Sequence, residues 1–395
     1  MNKTKSGLEA IGFVENRTTC VAELNALISD DAQVVTKQIV NQMVDNAVIE
    51  YVNSSGYTQS VDGTKVTIQD AEYIRFELPL FNKNKEKLFG WFCACKENKI
   101  FKGVHWGTMA DFNKSVNYAH RFSIGRMYFN YFNDGQNFLD NIAAASVPET
   151  WCYKNHHSKI HQPILKSYLE NILNKLVKED AAGKPDRLVY SKNRKMVTFN
   201  SNLLDRFFHP ILIAGWVDRF SNGDIAIQNP KMLGGISDLC KNGFDSNAKP
   251  VQPQFFEDVN EVIFQTSWKF DKDYNTFVHI IEQRIDRFPS ALKNESPEIL
   301  ARKLDAAIEM AITMAERNYK IIAPMYRPQD DKIQLLMPIY LNGTYSEQPD
   351  FALIITPDKD NKIYVPETIL PLDPAYQNAR LIAKPDESWL NPKVI

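Results

Sequence analysis

The last quarter of the chain constrains its fold most. Residues 318–341 read NYKIIAPMYRPQDDKIQLLMPIYL, and residues 349–390 read PDFALIITPDKDNKIYVPETILPLDPAYQNARLIAKPDESWL. The apolar runs have strand length, and three or four strands are expected here. Polar residues that a core alone does not require interrupt them: Gln334, Tyr376, Asn378, Arg380 and Trp389. An unpaired amide on a central strand costs roughly 1–3 kcal/mol, so Gln334 needs a partner in the backbone or in a ligand. A lone buried arginine is rare, so an inward Arg380 implies a pocket or a carboxylate.

Upstream, helix and strand signals interleave without regular βαβ spacing. Residues 161–179 form the clearest helix, with Ile164, Leu165, Tyr168, Leu169, Ile172, Leu173 and Leu176 on one face and Pro163 in the first turn. A second long helix starts at Ser296-Pro297. LVYSKNRKMVTFN reads as a hairpin, and residues 221–254, rich in Asn, Gly and Pro, read as loop. The pattern predicts an α+β protein with a mixed, mainly antiparallel sheet and packed helices. Three segments are expected: a small winged-helix-like subdomain at 1–66, a β-rich segment at 67–137 and an α+β main domain at 138–395. In the first, two helices precede AVIEYV and TKVTI as the wing; the second helix is poor in Arg and Lys, which speaks against nucleic-acid reading there.

Composition narrows the class. The 395 residues are 44% hydrophobic with net charge −2, so a substantial core is expected and no global basic field recruits nucleic acid. The opening MNKTKSGLEA lacks the apolar core of a secretory signal, and no apolar run approaches the roughly 20 residues that span a bilayer. A cytoplasmic protein without membrane partners is expected. The five cysteines (Cys20, Cys93, Cys95, Cys152, Cys240) are scattered, which favours buried thiols in a reducing compartment over a metal site.

The P-loop, the dinucleotide fingerprint, HExxH and the nucleophile elbow are all absent from the sequence. HHSKIH places His157 and His161 at i, i+4 if helical, but a histidine-rich loop is more often solvated surface, and no metal or cofactor is expected. In TFVHIIEQRIDRF, His279 and Arg287 lie about two turns apart on a helix, close to one face. One imidazole and one guanidinium suit a phosphate or carboxylate, although spacing alone favours a helix-surface ion pair with Glu282 or Asp286. Asn200, between an expected strand and helix, reads either as a helix cap or as a ligand contact; Glu149, after Pro148, reads either as a first-turn carboxylate or as a functional acid.

IAAASVPETWCY, ILKSYLENILNKL, FNSNLL, VHIIEQRIDRFP and most of the last quarter together resemble the bacterial domain-of-unknown-function family 3825, over about residues 138–390. The family's string at FNSNLL is closer to Asn-Thr-Gly-Leu; Ser201 and Asn202 replace its middle residues here. Members are sometimes fused to LOTUS or cold-shock modules, which implies RNA biology by association. Carried over by position, the pattern's polar residues are Glu149, Asn200, His279, Arg287, Gln334, Tyr376, Asn378 and Arg380.

Three readings result. In the first, a metal-independent enzyme acts on RNA or a nucleotide phosphate as a phosphodiesterase or phosphohydrolase. His279 is its general acid/base, Arg287 and Arg380 clamp the oxyanion, and Glu149 completes the site. In the second, the protein binds RNA or a nucleotide without catalysis, with Trp151, Tyr376 and Trp389 stacking bases beside Asn200, Gln334 and Asn378. In the third, it is a partner-binding scaffold in a defence or regulatory system.

Overall fold

The computed structural model describes residues 6–392 apart from 30–33, 60–62, 95–99, 120, 156–157, 272–273, 342–347 and 386–388. It is an α+β structure and divides into two compact units: 1–122 with 128–131 and 217–228, and 123–127 with 132–216 and 229–395.

The first unit opens with a single turn, α1 (Leu8–Ile11), followed by α2 (Arg17–Leu27) and α3 (Lys37–Asp45). The Asn16 and Thr36 side chains cap the last two helices by accepting their first free amides. An antiparallel sheet has the order β1 (Ile49–Val52), β2 (Tyr73–Phe81), β3 (Lys87–Ala94), β4 (Phe101–Gly107) and is followed by α4 (Met109–Ala119). Two expectations change here. Among the described residues TKVTI enters an isolated bridge, Gln59 to Lys65, and β1 pairs with β2 rather than with TKVTI, so the expected wing pairing is not seen there. Residues 1–66 also lack a core of their own: Leu24, Val40 and Val44 pack in one cluster with Ile74, Phe76, Phe92 and Trp106. Within EYIRFELPLF, Ile74, Phe76 and Leu78 alternate onto one face of β2, and that face is covered by the helices.

The second unit carries α5 (Phe132–Ala145) and α6 (Pro163–Ala181). Two three-residue strands, β5 (Phe122–Ile124) and β6 (Met127–Phe129), precede them in the chain. All seven stripe residues of α6 are 2% exposed or less, each stabilising the fold by roughly 1.5–3 kcal/mol. The hairpin of β7 (Val189–Tyr190) and β8 (Met196–Leu204) forms as expected, and β8 pairs onward with β9 (Pro210–Arg219). The segment expected as loop, 221–254, instead holds β10 (Ile225–Leu233) and α7 (Ile236–Lys241). IAIQNPKML carries its strand signal only in the short apolar run Ile225–Ile227, which the neighbouring glycines and asparagines obscured.

The last quarter supplies four strands of a five-stranded sheet in the order β11-β15-β14-β13-β12. The strands are β11 (Lys269–Phe270), β12 (Ala323–Arg327), β13 (Lys332–Ile339), β14 (Phe351–Asp358) and β15 (Ile363–Leu370). The last four form an antiparallel meander, and β11 joins it in parallel. One face, with Leu335, Met337, Ile339, Leu353 and Ile355, is covered by α8 (Tyr274–Gln283) and α9 (Pro297–Arg317). The alternate residues Leu336, Ala352 and Ile354 are also fully buried, but they lie outside that cluster. α10 (Leu372–Ile382) packs on β12, β14 and α6, and none of its buried residues joins the α8–α9 cluster, so it covers this second face.

Candidate functional site

Arg380 stands in the last turn of α10, and its charge is met across the fold by Glu149, in the irregular segment before α6. The pair is bidentate: Nε donates to Oε1 at 2.5 Å and Nη2 to Oε2 at 2.8 Å, with the side chains 11% and 9% exposed. Two rings close the cage, the guanidinium carbon lying 5.0 Å from the Trp151 centroid and 4.6 Å from that of Tyr168. Burial pushes the guanidinium pKa down, but hydrogen bonds and charge from Glu149 and Tyr168 outweigh it and leave it raised. Arg380 is therefore a fixed cation, as its sequence context demanded, and Glu149 is its carboxylate partner rather than a helix-capping acid.

The cage continues into β8. The Tyr168 hydroxyl donates to the Asn202 carbonyl at 3.1 Å and accepts from Asn202 Nδ2 at 3.0 Å. Asn202 has φ 59°, in the left-handed region where glycine and asparagine are the tolerated residues. Asparagine thus stands where the family string has glycine, in a backbone conformation that suits either residue. Asn200 is not at a helix start: it lies inside β8, beside a register shift, where its Oδ1 accepts from the Asn202 amide at 2.8 Å and its Nδ2 donates to the Pro250 carbonyl at 3.3 Å.

Beside the cage lies a recess of about 340 Å³, lined by Glu149, Thr150, Tyr376, Lys384 and Asn391 with three prolines. Burial, with the Glu149 charge adding and Arg380 opposing, pushes the Tyr376 phenol up to about 12. The Trp389 indole donates to the Ile321 carbonyl at 2.9 Å, which anchors the tail that carries Asn391. Trp151 Nε1 is buried and has no hydrogen-bond partner among the described residues. Trp151, Tyr376 and Trp389 are 3%, 1% and 3% exposed, so they cannot act as open stacking platforms; they are packed into the fold.

The remaining expected site residues lie elsewhere. α8 ends at Gln283, Arg284 breaks the helix at φ −126°, and Arg287 sits in a separate 3-10 turn, Ile285–Arg287. The two-turn spacing of His279 and Arg287 therefore does not translate into a shared helix face. Arg287 donates to the Ile369 carbonyl, and burial lowers its pKa. Both residues belong to the α8–α9 side of the sheet and Arg380 to the α10 side, so the expected His279–Arg287–Arg380 pocket is not assembled. Gln334 belongs to the α10 side, where its Nε2 donates to Thr356 Oγ1 at 2.7 Å; Thr356 donates to Glu367 at 2.5 Å, and Glu367 pairs with Arg327 at 2.8 Å. Its need for a partner is met by this row, although its Oε1 has none among the described residues. Asn378 is half-buried on α10. His161 pairs with Asp140 at 3.1 Å, and His156 and His157 lie outside the described residues. Among the described residues no helix is long and apolar enough to cross a membrane.

Sequence reasoning missed Tyr168, Asn202 and Lys384 as site residues. Tyr168 carries a faint signal, a hydroxyl in an otherwise leucine and isoleucine stripe that needs a partner once buried. Neither the curated proteins nor the solved structures gave a match. The family model described as a domain of unknown function (DUF3825) matches residues 142–389. This span contains Glu149, Trp151, Tyr168, Asn202 and Arg380, and covers well over half of the sequence: the chain belongs to the DUF3825 family.

Proposed function

We infer that the second unit is a binding module for a nucleotide or for single-stranded RNA, received in the recess beside the Glu149–Arg380 pair. The observation that supports this is the caged carboxylate. Two charges removed from water are costly to keep, and packed apolar residues often serve stability as well, so a buried pair at the wall of a recess is better explained by orientation than by stability. Arg380 uses both Glu149 oxygens for one fixed geometry, leaving each oxygen lone-pair capacity toward the recess. Such a carboxylate accepts from ribose hydroxyls or base N–H groups. Lys384, on the exposed rim, supplies the cation for phosphate. Binding without catalysis is favoured because the imidazole needed for acid/base chemistry, His279, belongs to the other side of the sheet.

Calorimetric titration with the four ribonucleoside monophosphates and a short single-stranded RNA tests this reading. At least one ligand is expected to bind, with affinity falling about tenfold in Lys384→Ala and in Asn391→Ala, each the loss of one polar contact. Full affinity in both variants, or binding by none of the ligands, would refute it.

A further inference from the structure

A second recess, of about 400 Å³, lies at the other end of the Tyr168–Asn202 connection and is lined by Arg187, Asn202, Gln252, Gln254, Phe255, Phe256 and Ile382 among others. Its wall is the extended segment 250–256, VQPQFF preceded by Pro250, and this segment has no regular structure to hold it. It is held instead by its backbone. The Val251 amide donates to the Asp186 carbonyl at 2.8 Å, and the Gln254 amide donates to the Glu179 carboxylate at 3.1 Å. The Gln252 carbonyl accepts from Arg187 at 2.6 Å, and the Pro250 carbonyl accepts from Asn200. Glu179, 3% exposed, is the hub, pairing with Arg187 at 2.8 Å and with Lys184 at 3.4 Å. With the backbone engaged, the side chains of Gln252 and Gln254 project exposed and make no hydrogen bond among the described residues, and neither does Asn202 Oδ1.

We propose that this recess is a site for one unpaired nucleobase, with adenine preferred over guanine. The chemistry is that of a neutral, planar ligand with alternating donors and acceptors. The two glutamine amides offer both at once, Asn202 Oδ1 adds an acceptor, and a carboxamide matches the adjacent N–H donor and ring-nitrogen acceptor of adenine. Phe255 and Phe256 are half-buried, so each keeps surface for stacking, and Phe255 is held edge-on to Tyr326 with centroids 4.8 Å apart. The usual reader of guanine is a free guanidinium, and the Arg187 guanidinium is committed to Glu179 and the Gln252 carbonyl. The volume accommodates a base with its sugar, and the site offers no free cation for phosphate among its lining residues. This inference goes beyond the first recess and stands apart from it, because it uses different residues and a ligand without phosphate.

The test is a titration of the full-length protein with adenosine and with guanosine, followed by side-chain amide resonances in an ¹⁵N-labelled sample. Adenosine is expected to bind, to shift glutamine side-chain amide signals, and to lose about tenfold or more in affinity in the Gln252→Ala/Gln254→Ala variant. Both residues are exposed, so the fold tolerates the change. The proposal is overturned if adenosine does not bind, if guanosine binds as tightly, or if the double glutamine variant retains wild-type affinity.

Discussion

The two faces of the five-stranded sheet were built from the same alternating strands, yet they do different work. The α8–α9 face is apolar throughout its cluster, from Leu300, Leu304 and Ile308 to Leu353 and Ile355. The α10 side keeps apolar residues as well, but it also carries the row from Gln334 through Thr356 and Glu367 to Arg327, and α10 itself carries the charge cage at Arg380. The contrast teaches that a polar residue in a strand is informative only once its face is known. His279 and Arg380 look equivalent in sequence, each a lone polar group among apolar neighbours, but they belong to opposite sides of the sheet.

The largest expected effect lies in the cage. Arg380→Met leaves Glu149 buried without its partner and should cost about 3–5 kcal/mol in denaturant unfolding. Adding Glu149→Gln should restore a good part of this, and the same cycle run between Arg380 and His279 should show additivity within about 0.5 kcal/mol. A strong Arg380–His279 coupling would break the comparison between the faces. On the apolar side, Leu353→Ala should cost about 2–5 kcal/mol with no second-site rescue by any charge change, since only packing is lost.

Smaller effects separate the polar groups from one another. Asn202→Ala should destabilise by about 1–2 kcal/mol, because alanine is strained at φ 59° and the Tyr168 bond is lost, whereas Asn202→Gly should lose less. Gln334→Met should stay within about 1 kcal/mol of wild type, since it removes a bond to Thr356 and an unpartnered buried oxygen together. Smallest is the pH effect of Tyr376. Its folded pKa is raised, so its contribution is complete below the unfolded value near 10 and is lost as pH rises toward about 12; ultraviolet titration against Tyr376→Phe reads it.

Much of the fold was legible because its signals are local. The α6 stripe with Pro163, the α9 start at Ser296-Pro297 and the four-strand meander follow from apolar spacing and, for the two helices, from proline in the first turn. The first unit was less legible because its boundary depends on which strand pairs with β1, and that partner, β2, begins twenty-one residues after β1 ends (73 against 52). At the site, the cost of burying Arg380 pointed correctly to a carboxylate, but Glu149 lies 231 residues away and only the fold makes the choice. His279 and Arg287 failed for the opposite reason: the helical spacing was read across Arg284, where the helix has already ended.

Hydrogen exchange read by mass spectrometry, with and without the nucleotide that binds most tightly, addresses the central claim most directly. The account predicts slower exchange on ligand binding in peptides covering 146–154 and 372–392, which hold Glu149, Tyr376, Lys384 and Asn391, with α8 peptides around His279 unchanged. Slowing confined to α8 and the Ile285–Arg287 turn, with the Glu149 and α10 peptides unchanged, would contradict it.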